Sequence, residues 1–378
     1  MIALNKSGAG IINRLNVVLN QIESRTGLVF ASVIVGLILL IIAVIYVTPA
    51  LEPMQLGRQF AKLSIDPFDF SKDLSIRYRV LTPLLAYLLG LRGPLYIIFP
   101  TIIAVVFMAF IYFQLRKKNS PASSFLITSL ICFSTPVLFL LHFQGYVDIT
   151  SYLLIGLAFV FRRNFILFAI LLSLLLLNHD SNIFILPALL YWFYIQFENK
   201  GKGFALSVSI FLFTLIPFFL YRNFVSEQTS VTYSAKYYLD GIKANILSIY
   251  QFFPVGFFYA FKLFWIFPIL GFYYLVKERK NEYVLLFLLV LAAALGQLIL
   301  ASDTSRLIGL AFPLVIAGAV IVKQKWGEQV FLSRTAWLIL INFLVPQFYV
   351  GQSVMILFYP LPVSWFLKQF LGIETWIG

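Results

Sequence analysis

The chain has 378 residues, of which 61% are hydrophobic and only 11% are charged. Soluble domains carry about 25% charged residues, so this composition and a mean hydropathy of +0.94 exclude a soluble fold. The net charge of +13 does not indicate a nucleic-acid ligand, because the basic residues flank hydrophobic stretches. The lone cysteine, Cys132, excludes a disulfide framework and a cysteine-based metal site. The composition therefore predicts a helical membrane protein, since the apolar runs are too continuous for the alternation of a membrane β-barrel.

The first predicted element is an amphipathic helix. Apolar residues recur at helical spacing between Ile11 and Ile22, and polar residues occupy the opposite face. Residues 1–27 are therefore predicted to form a cytoplasmic interfacial segment that lies on the bilayer. A helix of the same pattern that packs on another loop of the protein is an equally open alternative. The run from Leu28 to Leu51 is then long enough to cross a hydrocarbon core of about 30 Å.

Further apolar runs predict more membrane segments along the chain. They are Pro94 to Leu115, Pro121 to Leu141, Tyr146 to Phe161, Phe165 to Leu177, Ile183 to Phe197, Phe204 to Tyr221, Phe252 to Val276, Tyr283 to Ala301, Leu307 to Val322, Ala336 to Val350, and a stretch from Val354 to Leu371 that Pro360 and Pro362 break. The pattern predicts an all-α, polytopic transmembrane helical bundle with about 11 to 13 membrane segments, short and re-entrant helices included. Residues 28–322 form the predicted core, with an outward loop over residues 51–93, and residues 323–378 form C-terminal membrane segments.

Alternate connections carry the basic residues. They are the N-terminal segment, Arg116 to Lys118, Arg162 with Arg163, Lys200 with Lys202, Lys277 to Lys280, and Lys323 to Arg334. The positive-inside rule places these connections in the cytoplasm. The other connections then face the periplasm or the exterior, as in a multi-pass protein of the cell inner membrane. They hold most of the remaining polar residues, which makes the outward face the predicted functional face.

Two predicted helices are too short to cross the membrane. The run from Phe165 to Leu177 extends about 20 Å at 1.5 Å per residue, which is well short of a core of about 30 Å. A charged side chain at that depth costs about 2.5 to 3.5 kcal/mol unless it faces water, protein or a ligand. Asn178 to Ser181 therefore marks a predicted hydrated cavity that opens outward. The helix that follows Arg79 and ends near Leu91 is similarly short.

Four polar clusters are predicted to meet on the outward face, within 66–83, 142–148, 178–181 and 302–306. This combination suits transfer of a sugar from a lipid-phosphate carrier, because an acceptor hydroxyl needs a carboxylate base and a leaving phosphate needs cations or a metal. The candidate bases are Asp66, Asp69 and Asp73, and the candidate phosphate contacts are Arg77, Arg79, Arg222 and Arg306. The side chains expected to line the substrate cavity are His142, Asp148, His179, Asp180 and Asp303. Of these, Asp148, His179 and Asp180 either shape the cavity or hold a divalent cation such as Mg²⁺ or Mn²⁺.

Simpler interpretations stay open for the same residues. Arg77 and Arg79 can be interfacial anchors, and a carboxylate such as Asp148 or Asp303 can cap a helix or pair with an arginine. His142 can be a structural interfacial residue. A His-Asp pair by itself is weak support for a metal, because a site normally has three or more ligands. The sequence has no Gly-rich phosphate loop, so no soluble nucleotide site is expected.

Five short motifs lie at the predicted outward ends of the spans. They are the acidic first loop at 66–73, Arg-x-Arg-x-Leu-x-Pro at 77–83, Gly-Tyr-Val-Asp at 145–148, Asn-His-Asp at 178–180 and Asp-Thr-Ser-Arg-Leu at 303–307. Together they resemble the GT-C superfamily of integral membrane glycosyltransferases, over roughly residues 28–322. The resemblance implies a polyprenyl-phosphate-linked sugar as the donor. It also implies a catalytic aspartate in the first outward loop, here Asp66 or Asp69.

The predicted function is therefore inverting transfer of a sugar to a lipid, glycan or protein acceptor on the outer, periplasmic face, within polysaccharide biosynthesis of the cell envelope. A polysaccharide polymerase or ligase that acts on lipid-linked glycans is the first alternative, although the loop from Arg222 to Gln251 is only of moderate length for that class. A lipid or glycan flippase is the second, and it lacks the support of an evident internal repeat. Membrane lipids are expected partners, and nucleic acid is not.

Overall fold

The structure is a computed structural model that describes residues 2–70, 76–228, 252–299, 301, 303–351 and 354–372, and the isolated positions 242 and 246. The side chains of residues 2–9, 11 and 12 are not part of that description. The described α-helices are α1 (Ile2–Tyr46), α2 (Leu56–Leu63), α3 (Leu81–Leu88), α4 (Ile98–Arg116), α5 (Pro121–Cys132), α6 (Thr135–His142), α7 (Asp148–Phe161), α8 (Phe165–Asn178), α9 (Leu186–Tyr194), α10 (Lys200–Gln228), α11 (Phe253–Phe261), α12 (Ile266–Lys277), α13 (Asn281–Gly296), α14 (Thr304–Ile308), α15 (Phe312–Trp326), α16 (Glu328–Leu344) and α17 (Leu361–Leu371). Short 3₁₀ turns join several of them, at Gly93–Ile97, Asp180–Ile185, Lys262–Trp265, Gln297–Ile299 and Gly309–Ala311.

The fold class is that of a helical, membrane-embedded protein. Within the described residues, six helices or helix runs are long and apolar enough to cross a membrane: Asn13–Tyr46, Gly93–Arg116, Lys200–Gln228, Phe253–Lys277, Asn281–Ile299 and Thr304–Trp326. The pair α5 and α6, bent by 52° at its break, brings the number to seven if it counts as one span. Helices α7 and α8 are apolar but have only 14 residues each. The larger number of about 11 to 13 segments stays a prediction.

The amphipathic N-terminal segment continues directly into the first span. One helix, α1, covers both, with a break at Gly27, whose φ of 78° is accessible to glycine at little cost. Its polar face contacts protein: Asn16 Oδ1 accepts the Ala122 backbone N–H at 2.9 Å. Glu23 pairs with Arg116 Nε at 2.9 Å. The segment therefore contacts the protein at the end of α4 and the start of α5, and its position on the bilayer stays a prediction.

Glycines allow the closest helix crossings in the core. A Cβ on Gly271 of α12 would lie 2.7 Å from the Gly318 Cα of α15, so these two helices meet backbone to backbone. Gly36 of α1 does the same against α4, where an added Cβ would lie 2.8 Å from the Val105 carbonyl oxygen. Such small-residue contacts are a usual way for membrane helices to associate, because lipid provides little hydrophobic drive between them.

The C-terminal segment departs from the predicted all-α fold. Ala336 to Val350 and Val354 to Leu371 are predicted membrane segments, but the first ends within a β-strand and the second begins with one. Strands β1 (Gln347–Gly351) and β2 (Val354–Phe358) pair antiparallel, with Gln347 opposite Phe358 and Gly351 opposite Val354. Hydropathy alone does not separate a short apolar strand from part of a helix. The Thr48 N–H donates to the Tyr359 carbonyl at 2.9 Å, so the residue that follows β2 is hydrogen-bonded to the segment directly after α1.

The two ends of the bundle carry different charged residues. At one end Lys323 Nζ lies 2.8 Å from Asn119 Oδ1, and Lys200 Nζ lies 3.3 Å from Glu282. We call this the basic end; it consists of the connections at 116–120, 161–164, 194–200, 277–281 and 323–328. The opposite end, here the site end, holds the connections after α1, α6, α8 and α13. The predicted functional residues belong to the site end.

Topology can be tested with two exposed positions in a Cys132→Ser background, since Cys132 is buried. Glu52 is exposed at the site end, and Lys118 is exposed at the basic end. We expect an impermeant maleimide to label Glu52→Cys in intact expressing cells and to label Lys118→Cys only after permeabilisation, because basic connections stay in the cytoplasm. Labelling of Lys118→Cys but not Glu52→Cys in intact cells would reverse the predicted orientation.

Candidate functional site

A buried arginine lies at the centre of the site end. Arg306, on the short helix α14, is only 4% exposed. Its Nη2 lies 2.6 Å from Asp303 Oδ2, and its Nη1 lies 3.5 Å from Asp148 Oδ2 at the first turn of α7. The guanidinium also lies over the Tyr146 ring, 5.1 Å from its centroid. Arg306, Asp148 and Asp303 therefore form one ion-pair cluster. This agrees with the simpler interpretation of the sequence, in which both aspartates pair with an arginine.

The C-terminal hairpin completes this cluster. The Tyr349 hydroxyl of β1 donates to Asp303 Oδ1 at 2.6 Å. Burial and the Asp303 carboxylate raise the pKa of Tyr349, so it stays a protonated donor at neutral pH. A Cβ on Gly351 would lie 2.9 Å from Asp303 Oδ1 and closer still to the Tyr349 hydroxyl, so only glycine fits there without a shift. The sequence reasoning missed Tyr349, although the run of strand-forming residues that ends in Gly351 was a usable hairpin signal.

A second cluster follows α8. Asp180 Oδ1 pairs with Arg79, at 3.2 Å from both Nε and Nη2. His179 Nδ1 accepts the Ser181 backbone N–H at 3.2 Å and lies 2.8 Å from the Ser181 hydroxyl. Burial, and next the Arg79 guanidinium, lower the pKa of His179 to about 3. His179 is therefore a neutral imidazole at physiological pH, with its proton on Nε2 because Nδ1 accepts.

The two clusters are close enough for their charges to interact. The charges of Asp148 and Arg306 both act on the pKa of His179. Asn178 connects the same elements: its amide donates to the Val147 carbonyl at 2.9 Å and to Ser151 Oγ at 2.8 Å. The Thr82 hydroxyl of α3 donates to the Asn178 side-chain oxygen. Helices α3, α7 and α8 are thus joined by hydrogen bonds where α8 ends, and the hydrated cavity expected at Asn178 to Ser181 stays a prediction.

The acidic first loop is anchored by Arg77. This side chain is 2% exposed, and its guanidinium donates to the Asp69 backbone carbonyl and lies over the Phe70 ring. Asp66 is exposed, and its Oδ1 accepts the Phe68 N–H at 3.0 Å, which forms the turn predicted at Asp66-Pro67. The Asp69 side chain is half-buried. Asp73, the third candidate base, lies outside the described residues, as do Ser302 and most of the loop after Gln228.

Two other predicted residues lie on the flanks of the site. Arg222 of α10 stacks on the Tyr78 ring, 4.5 Å from its centroid, so it is next to the segment that carries Arg77 and Arg79. His142 stacks on Phe358 of the hairpin at 4.1 Å, and its Nδ1 lies 3.3 Å from the Thr48 carbonyl. These contacts place His142 in the packing of the hairpin, as its structural interpretation proposed.

The described residues do not form a recognisable metal site. Among residues 2–70, 76–228 and the later described segments, no group of three His, Cys, Asp or Glu side chains is arranged to hold an ion. Of the predicted set, Asp180 is paired with Arg79 and Asp148 with Arg306. The chemistry inferred for the site therefore uses no metal-bound step.

Comparisons with known proteins do not assign the site. No protein-family model matches the chain, and a search of curated proteins found no significant match. Its chemistry must be inferred from its own side chains. They provide guanidinium groups for an anion, carboxylates that accept from hydroxyls, and a neutral imidazole.

The hairpin contact can be tested by stability. Tyr349→Phe removes the hydroxyl that donates to the Asp303 carboxylate, a charged hydrogen bond that contributes about 1.5 to 3 kcal/mol. We expect a lower thermal unfolding midpoint for this variant in detergent, measured by the exposure of buried Cys132 to a thiol-reactive dye. Tyr273→Phe on α12 is the control, because Tyr273 is 54% exposed. Equal midpoints for the two variants would show that the hairpin does not depend on Asp303.

Proposed function

We propose that the protein is a GT-C-like glycosyltransferase that transfers a sugar from a polyprenyl-phosphate-linked donor to an acceptor at the outer face of the cell inner membrane. The observation that carries the proposal is a pair of ion-pair clusters, Arg79 with Asp180 and Arg306 with Asp148 and Asp303, at the end of the bundle away from the basic connections. Such a cluster within an apolar helical bundle is costly unless it serves a polar substrate or a structural need. Lipid, glycan and protein hydroxyls are all acceptable acceptors for this chemistry.

The proposed reaction needs one base and one stabilised leaving group. A carboxylate of the acidic loop, Asp66 or Asp69, takes the proton of the acceptor hydroxyl. The acceptor oxygen forms a bond to the anomeric carbon of the sugar, while the bond from that carbon to the phosphate oxygen breaks. Polyprenyl phosphate leaves with the bonding electrons, and the anomeric configuration inverts. Asp66 is exposed within a defined turn, which favours it as the base.

The four arginines take different roles in this proposal. Arg79 is the phosphate contact, because its side chain is 23% exposed and has one carboxylate beside it. Arg306 faces two carboxylates and is almost closed off, so it positions Asp148 and Asp303 to accept hydrogen bonds from sugar hydroxyls. Arg77 holds the acidic loop through the Asp69 carbonyl. Arg222, stacked on Tyr78, adds positive charge beside Arg79.

Neutral His179 complements these charges. Its Nε2–H is buried and has no hydrogen-bond partner within the described residues. A buried donor without a partner is unfavourable by about 1 to 3 kcal/mol, so a substrate oxygen that accepts from it would regain that energy. We assign it to a sugar hydroxyl or a phosphate oxygen, next to the Asp180 carboxylate.

The base assignment is tested with amide variants. Asp66→Asn and Asp69→Asn keep the side-chain size but remove proton acceptance, which contributes about 10²- to 10⁴-fold to rate. We expect one of the two variants to abolish transfer from a panel of polyprenyl-phosphate sugars while donor binding remains, and we favour Asp66→Asn as that variant. Glu52→Gln is the control, since Glu52 is an exposed carboxylate in the same outward connection. Wild-type turnover in both Asn variants would place the base elsewhere.

A conservative substitution tests the phosphate contact. Arg79→Lys keeps the charge but loses the planar fork that grips a phosphate. Since a single transition-state donor is worth about 10²- to 10³-fold, we expect kcat to fall at least about tenfold in this variant, with normal insertion and a monodisperse gel-filtration profile. Arg58→Lys, in an exposed pair with Glu52, should be silent. An unchanged kcat in Arg79→Lys would contradict the assignment.

A further inference from the structure

A second feature lies in the opposite half of the bundle. An apolar cavity of about 600 Å³ opens between α4, α7, α12, α13 and α15. Its volume falls within the range of about 300 to 1,000 Å³ that is usual for ligand sites. The lining side chains are almost all apolar, and the few polar ones are Gln114, Lys280, Tyr283 and Gln324. None of the residues assigned to the transferase site lines it.

One wall of the cavity is a continuous face of α15. Pro313, Ile316, Ala317, Val320 and Ile321 recur at helical spacing along this face, and all are half-buried. The opposite face of the same helix is buried in the core. This apolar face extends along more than two turns of the helix. An elongated apolar surface fits a hydrocarbon chain better than a compact polar molecule.

The cavity runs from the middle of the bundle to the basic end. Its inner limit is Phe312, whose ring contacts the Tyr152 ring at 5.5 Å. The Tyr152 hydroxyl in turn donates to the Arg306 carbonyl at 3.3 Å. The cavity opens at its other end, where α15 ends and α13 begins, next to the exposed side chains of Gln324 and Lys280. A ligand here would extend from just below the Arg306 cluster to the surface of the basic end.

The open limit of the cavity carries positive charge. Glu278 is bonded to Lys280 at 2.8 Å and also to Lys325, so two cations share one carboxylate. Exposed Lys117 and Lys118 follow α4, which provides another wall. This charge complements an anionic headgroup, and basic residues at the surface attract anionic lipids in the same way.

We propose that this cavity binds one acyl chain of an anionic phospholipid from the leaflet at the basic end, with the headgroup phosphate at Lys280. The apolar lining favours a hydrocarbon chain, and the lysines at the opening of the cavity favour a negatively charged headgroup. The bound chain fills the space between α4 and α7 on one side and α13 and α15 on the other. This site is separate from glycosyl transfer and does not depend on that proposal.

Native mass spectrometry of the purified full-length protein tests the proposal. The protein in detergent is mixed with equal amounts of phosphatidylglycerol and phosphatidylcholine that have identical acyl chains, and the retained lipids are counted. We expect wild-type protein to retain one phosphatidylglycerol, about tenfold in preference to phosphatidylcholine, because lysines at the surface favour the anionic headgroup. Equal retention of the two lipids would overturn the proposal.

Two variants locate the binding. Ala317→Trp fills the cavity and removes the space of at least two methylenes, which corresponds to about tenfold weaker retention. Its control is Leu212→Trp, which adds the same ring at a position of α10 that is 57% exposed. Lys280→Gln, at an exposed position, should remove the preference for phosphatidylglycerol.

Each outcome decides the question. Lower retention in Ala317→Trp than in Leu212→Trp, both monodisperse in gel filtration, supports the cavity, and equal retention overturns it. If Ala317→Trp does not fold, Lys280→Gln decides: loss of headgroup preference supports the site, and an unchanged preference overturns it. Transfer activity is not measured, so a failure of the proposed glycosyl transfer leaves the result intact.

Discussion

The burial of the Arg306 guanidinium is the constraint on which the site end depends. A charge inside an apolar bundle is strongly unfavourable unless it is paired and hydrogen-bonded. Arg306 meets that requirement with Asp148 from the start of α7 and Asp303 from the turn before α14, and Tyr349 brings the hairpin to the same carboxylate. Removing one partner of such a buried pair typically costs about 3 to 5 kcal/mol. The cluster therefore fixes three distant parts of the chain relative to one another.

The same rule explains the other polar contacts of the interior. The Asn178 and Asn182 amides both donate to Ser151 Oγ, so the end of α8 has hydrogen-bond partners inside the protein. Lys262 is 1% exposed, and its Nζ donates to the Tyr46 hydroxyl at 2.7 Å and to the Asn342 and Val345 carbonyls at 3.2 Å. This lysine joins α1 to the end of α16, directly before β1. It lies within an apolar run, where hydropathy gave no indication of its structural role.

The two ends of the bundle differ in chemistry in a way that suits two kinds of ligand. The site end offers guanidinium groups, carboxylates and a neutral imidazole within one electrostatic neighbourhood, which suits a phosphate and sugar hydroxyls. The basic end offers an apolar cavity beneath a cluster of lysines, which suits a lipid chain and its headgroup. Tyr152 lies between them: its ring contacts Phe312 at the inner limit of the cavity, and its hydroxyl bonds the Arg306 backbone. Packing around this one residue thus connects the two halves.

Hydropathy and charge patterns by themselves determined the membrane-embedded helical class, the short α8 with its polar end, the turn at Asp66 and the separation of basic residues from the site residues. These features are local, because each follows from the run of side chains within one element. Tertiary structure decided the rest. The contact of the hairpin segment with Thr48, and the contacts of Tyr349 with Asp303 and of Lys262 with Tyr46, join residues tens to hundreds of positions apart. Arg306 could have faced a substrate or paired with two aspartates. The outcome depends on which groups are buried together, and the spacing of residues along the chain does not show that.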